Sequence, residues 1–92
     1  MPFYDWNESK RRENFRKHGF DFADAPALFD GYTLTVEDSR EAYGEQRFKT
    51  VGLLFGLVVS VVHVERRGVV RIISMRKATK HEARIYFAQI QD

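Results

Sequence analysis

Apolar and polar positions follow two different rhythms along this chain, and the rhythm changes near residue 32. Beyond that point apolar residues recur every second position, the signature of strands with one buried face. The pattern predicts four strands over 32–37, 47–55, 57–65 and 69–76, rich in Val, Ile, Leu and Thr. Their links are a polar loop over 38–46, a tight turn near Gly56 and another at Arg67-Gly68. Links this short join antiparallel neighbours, so the strands form a meander. Before residue 32 the signals are helical. Phe3–Trp6 reads as a short edge strand, and Asn7 is an N-cap for a helix over 8–18 that stops at Gly19. That helix is so polar that it cannot be buried deeply, and Phe15 is its one clear apolar anchor. A second helix carries Phe22, Ala25, Leu28 and Phe29, capped by Asp21 or by Asp24; the latter puts Pro26 in its first turn. After the last strand, Thr79 and Glu82 form a capping box that opens a C-terminal helix. The fold class is α+β: two N-terminal helices, a four-stranded antiparallel meander and a C-terminal helix.

The register of the last hairpin decides what the sheet displays. A two-residue turn at Arg67-Gly68 sets Glu65 opposite Val70, His63 opposite Ile72, Val61 opposite Ser74 and Val59 opposite Arg76. One face then carries Val58, Val62, Val64, Val69, Ile73 and Met75 as a core side. The other carries His63, Glu65, Ser74 and Arg76 together. A slip of one residue would scatter that set, because side chains alternate with period two.

Composition narrows the picture. Ninety-two residues make a single domain over 1–92, and 43% hydrophobic residues suffice for one core. There is no cysteine, which removes disulfides and thiolate metal sites and fits a reducing compartment. The longest apolar stretch, 53–62, is interrupted by Gly56 and Ser60 and is too short to span a bilayer. No signal-peptide pattern is seen at the N-terminus, so a soluble cytoplasmic protein is expected, without a membrane partner. The net charge of +2 conceals an asymmetry: +2 over residues 1–18, −5 over 19–65 and +5 over 66–92. A local field of this kind steers an anionic partner even when the total is near zero. The strand-to-helix junction concentrates Arg76, Lys77, Lys80, His81 and Arg84 against Glu82 alone. Solvated charge is the plainer reading of such a run.

The ordered set of residues resembles the BrnT family of bacterial type II toxins. It comprises Trp6-Asn7-Glu8; Lys17-His18-Gly19 with Phe22 and Ala25; Tyr43-Gly44-Glu45 and Arg47-Phe48; Gly52; His63 and Glu65-Arg66; Arg71-Ile72-Ile73-Ser74; and Arg76-Lys77-Ala78-Thr79 with Glu82 and Tyr86. Val64, where threonine is common, and the shortened turn over 54–57 depart from the family pattern. The resemblance implies a RelE-like fold, ribonuclease activity that arrests translation, and neutralisation by a BrnA-type antitoxin with a ribbon-helix-helix domain. DNA would be met only through that complex.

Metal-independent RNA cleavage needs a base for the 2′-hydroxyl, cations for the developing charge, and an acid for the departing 5′-oxygen. His63 titrates in the right range, and Glu65 lies two residues along the same strand. Arg66 and Arg76 would hold the phosphate through their guanidinium forks. These four are the expected catalytic residues, with Lys17, Lys77, Lys80, His81 and Arg84 as the RNA-binding set. The structural alternatives are a packed histidine in a valine-rich strand and a Glu65 paired with a neighbouring arginine. Arg71 reads as structural and Tyr43 as a ring that packs or stacks on a base. Three dispersed histidines without a ligand spacing argue against zinc, and no cofactor motif is present. The rival functions are a nucleic-acid-binding module without catalysis and a related toxin that blocks a protein such as a topoisomerase. The acidic stretch with Glu37, Asp38, Glu41 and Glu45 is the expected dock for a cationic antitoxin.

Overall fold

The computed structural model describes residues 3–40, 42 and 44–90. Five strands form one sheet: β1 (Phe3–Trp6), β2 (Thr33–Glu37), β3 (Phe48–Leu54), β4 (Leu57–Arg66) and β5 (Val69–Lys77), in the order β1-β5-β4-β3-β2. This corrects the four-stranded meander. The segment Phe3–Trp6 joins the same sheet, parallel to β5, with Tyr4 opposite Val70 and Trp6 opposite Ile72. Nothing local signals such a pairing, because its partner lies more than sixty residues away in sequence. β2 to β5 do form the expected antiparallel meander. Its two hairpins turn on Phe55-Gly56 and Arg67-Gly68, all four residues with positive φ (52°, 82°, 52° and 78°). A two-residue turn with both φ positive matches the twist of the flanking strands, and glycine takes its second place without steric cost.

The hairpin register is as expected only near the turn. Glu65 faces Val70 and His63 faces Ile72, but Val62 then faces Ser74 and Ser60 faces Arg76. A bulge at Ile73 inserts one extra residue into β5 and exchanges its faces beyond that point. The expected grouping of His63, Glu65, Ser74 and Arg76 on one face is therefore corrected: His63 and Glu65 lie on one side, Ser74 and Arg76 on the other. The core side is reversed as well. The N-terminal helical segments cover the face of Val59, Val61, Val70, Ile72 and Met75, all buried.

Helix α1 (Glu8–His18) begins at Asn7, whose side chain accepts from the Lys10 amide, and ends at Gly19 with φ 79°. Its anchor is polar. Phe15 is 56% exposed, whereas Asn14 is buried and clamps the β5 backbone at Met75, accepting from its N–H (3.1 Å) and donating to its carbonyl (2.9 Å). β1 pairs only with Val69–Ile72, so the Asn14 amide serves the edge where β1 has ended. Asp21 caps a single 3₁₀ turn (Phe22–Asp24) that runs into α2 (Ala25–Phe29), with Pro26 in its first turn. Of the two candidate caps, Asp21 makes the capping bond, accepting from the Ala23 amide, whereas Asp24 precedes α2 without a side-chain cap bond. Phe22, Ala25 and Leu28 are fully buried against the sheet. Burying a side chain the size of Phe22 or Leu28 contributes roughly 1.5–3 kcal/mol. α3 (Lys80–Ile90) packs on β3 from the opposite side, anchored by buried Tyr86, whose hydroxyl donates to the Tyr32 carbonyl (2.8 Å). No helix among the described residues is long and apolar enough to cross a membrane.

Candidate functional site

The side of the sheet away from α1 and α2 is built by alternation. Register places Ser60 beside Arg76 and Val51, then Val62 beside Ser74 and Lys49, then Val64 beside Arg71, then Arg66 beside Val69. Successive rows along a strand are about 7 Å apart. Lys49, Arg71, Arg76 and Arg66 therefore form a cationic stripe flanking Val62 and Val64. α3 covers only one end of it.

At the covered end Glu82 gathers the charges. Its Oε1 accepts from Ser60 Oγ (2.9 Å), Arg76 Nη1 (2.9 Å) and the Thr79 amide (2.9 Å). Its Oε2 accepts from Lys49 Nζ (2.7 Å) and Arg76 Nη2 (3.0 Å). The Thr79 hydroxyl accepts from the Glu82 amide in return, completing the capping box. Arg76 first, then Lys49, the Thr79 amide and Ser60 hold the carboxyl far below the usual carboxylate range, against the opposing effect of burial. A charge left in this position without partners would be strongly unfavourable. Sequence reading saw Glu82 as a helix cap and as the lone acid in a basic run, but not as the shared partner of Arg76 and Lys49, since the bulge that turns Arg76 toward it leaves no periodic trace.

At the open end a pocket of about 450 Å³ is lined by Asp5, Glu45, Val64, Arg66, Arg67, Val69 and Arg71. Glu45 stands between Arg47 (3.6 Å) and Arg66 (3.8 Å), and Asp5 pairs with Arg71 (3.2 Å). The Arg66 side chain is 75% exposed. Arg71, expected to be structural, faces this pocket. The acidic stretch is largely engaged within the chain: Asp38 accepts from Arg40 (2.7 and 2.8 Å) and Glu37 from Gln46 (3.3 Å). Glu41 and Tyr43 lie outside the described residues.

His63 sits on the other face, 1% exposed, edge-on to Phe29 and stacked with Phe48. Its Nε2 is 2.7 Å from Thr50 Oγ1, which is 2.7 Å from Thr35 Oγ1. Nδ1 has no hydrogen-bond partner, and Glu65 Oε2 lies 3.6 Å away. A lone pair facing a carboxylate is repelled, so the favoured tautomer carries its proton on Nδ1 and accepts from Thr50 at Nε2. Burial pushes the ring down to about 4, so it is neutral near pH 7 and forms no ion pair with Glu65.

The RNA-binding set is divided too. Lys77, Lys80, His81 and Arg84 are exposed at or after the end of β5, whereas Lys17 is exposed on α1 across the sheet. Among the described residues no three His, Cys, Asp or Glu side chains gather as metal ligands.

The molecule is an α+β domain whose sheet has one apolar face packed by α1 and α2 and a second face where Lys49, Arg66, Arg71 and Arg76 lie beside Glu82, Glu45 and Asp5. The sequence profile of the BrnT family, the ribonuclease toxin of a type II toxin–antitoxin system, matches residues 6–82, and the chain belongs to that family. No curated protein matches the chain.

Proposed function

We propose that this toxin is an endoribonuclease that cuts RNA without a metal, on the cationic face, by attack of a 2′-hydroxyl on the adjacent phosphate. The stripe of Lys49, Arg66, Arg71 and Arg76 carries this reading. Arg76 and Lys49 hold the scissile phosphate, and Arg66 and Arg71 hold its neighbour over Val64. The attack makes a pentavalent phosphorane whose extra negative charge falls on phosphate oxygens. Fixed guanidinium and ammonium donors stabilise that charge more than they stabilise the ground state, which lowers the barrier. A divalent metal would supply the same charge, so such a site has no need of one.

The reading keeps Arg66 and Arg76 from the expected set and moves the proton-carrying role. His63 and Glu65 lie across the sheet. In this reading His81, exposed in the first turn of α3 and next to Glu82 in the chain, takes the proton of the 2′-hydroxyl or returns one to the 5′-oxygen. The products are a 2′,3′-cyclic phosphate and a 5′-hydroxyl. Type II family membership implies an antitoxin; a BrnA-type ribbon-helix-helix protein in the same cytoplasm fits that place.

The test is incubation of purified protein with end-labelled RNA in EDTA, beside Arg76→Ala. Wild type is expected to leave cyclic-phosphate ends, with cleavage lowered about 10²- to 10³-fold in the variant. RNA binding without cleavage would point to a non-catalytic module. Growth arrest with intact RNA would point to a protein target.

A further inference from the structure

Glu82 is the one acidic side chain inside the cationic stripe's covered end, and the mechanism above gives it no step. Its five donors occupy both oxygens, and its side chain is 10% exposed. It is therefore no base. Nor is it a removable plug, because displacing it would undo the first turn of α3 and leave a carboxylate without partners.

We infer that Glu82 is a positioning residue: its carboxylate fixes Arg76 and Lys49 relative to each other so that their remaining N–H groups grip one phosphate. This rests on the reading of the cationic face as the RNA-cutting site. Arg76 spends Nη1 on Glu82 and the Lys77 carbonyl and Nη2 on Glu82. A guanidinium has five N–H bonds and an ammonium three, so about two remain on Arg76 and two on Lys49. Both side chains are partly open to solvent, at 30% and 26%. Fixing them removes the reorganisation that two long, flexible cations would otherwise need as charge develops. The cost is one negative charge placed beside the phosphate. Glu82 thus weakens RNA binding while it speeds cleavage, and those two effects are separable.

Glu82→Gln is the decisive variant. Glutamine serves the same capping box, so α3 keeps its first turn, which circular dichroism and thermal unfolding verify. Single-turnover cleavage of a labelled oligoribonucleotide is expected to fall about tenfold, less than loss of a donor itself. Binding at low salt is expected to tighten, with a salt dependence steeper by up to about 0.7, because the stripe gains one unit of positive charge. A second variant, Ser60→Ala, removes one of the carboxylate's partners and touches neither cation nor cap. It is expected to slow cleavage about twofold to threefold with binding unchanged.

A folded Glu82→Gln that loses binding and cleavage together has lost structure only, which overturns the inference. So does one that changes neither, or one that cuts faster, which would make Glu82 an inhibitor. If wild type does not cut RNA, the reading of the face fails and the inference falls with it. If wild type cuts and the opposed changes are missing, the inference alone fails.

Discussion

The two faces of the sheet meet the same difficulty, a polar group among valines, and resolve it in opposite ways. On the helix-packed face His63 is enclosed by Phe29, Phe48 and Thr50 and kept neutral. On the other face Glu82 is nearly as enclosed but kept charged, because Arg76, Lys49 and Ser60 surround it. Burial alone disfavours charge; burial with fixed counter-charges reverses the outcome. A titratable residue type therefore says little about chemistry until its face is known. The histidine that looked catalytic stands on the face that holds the fold together. The glutamate that looked like a helix cap stands among the cations.

The largest effect that separates the faces is a pH dependence of stability. The folded His63 titrates at about 4, against 6.5 for the free side chain. Between those values the unfolded chain binds a proton that the folded chain refuses, so stability falls as pH drops from 6.5 toward 4 and is fully present above 6.5. The integrated loss is on the order of 3 kcal/mol. Glu82 acts in a lower window. Its lowered carboxyl stabilises the fold above the ordinary carboxylate range and loses that effect only as pH falls further, through its own folded value. Urea unfolding of wild type and His63→Leu from pH 7 to 4 checks this. The wild-type curve should fall from pH 6.5 downward while the variant stays nearly level to about pH 5 and falls below it only through carboxylates such as Glu82 and Asp21. A level wild-type curve would mean that the ring is not enclosed.

Next in size is Gly52, on the packed face of β3. A Cβ there would stand 3.0 Å from Leu28 Cδ2 and from Thr33 Cγ2, and 3.1 Å from Leu28 Cγ. Gly52→Ala should cost about 1–3 kcal/mol as α2 is pushed from the sheet. Thermal unfolding would register it. RNA cleavage well below the transition should not change, since the methyl points away from Arg76. A loss of cleavage in the folded variant would show that the faces are coupled.

The fold was largely legible because its signals are local. The caps at Asn7, Gly19 and Thr79, the turns at Gly56 and Arg67-Gly68, and the period-two strands each need only a few neighbouring residues. The missed features are non-local. β1 finds its parallel partner across the chain, and Asn14 replaces Phe15 as an anchor because an edge of β5 needs hydrogen bonds there. The charged residues of the proposed site could be picked out in the sequence, but how the fold groups them could not. One extra residue at Ile73 moves Ser74 and Arg76 across the sheet, and no rule of alternation places a bulge in advance. Arg66 and Arg76 stay on one face after that exchange, at opposite ends of the stripe; His63 and Glu65 lie on the other face.

The smallest effect tests the division most directly. Each phosphate neutralised by a cation adds about 0.7 to the salt dependence of single-stranded binding. Arg71 faces the pocket beside Asp5, whereas Lys17 is exposed on α1 across the sheet. Arg71→Ala should lower the slope of log affinity against log salt by up to about 0.7. It also frees the Asp5 carboxylate, which repels RNA and weakens binding further at low salt. Lys17→Ala removes an equal charge and should leave the slope unchanged, because a contact across the sheet lies beyond the Debye length at physiological salt, about 8 Å. Net charge is the same in the two variants, so any difference between their slopes measures position alone. Equal slopes would mean that RNA meets the general charge of the chain and not one face of its sheet.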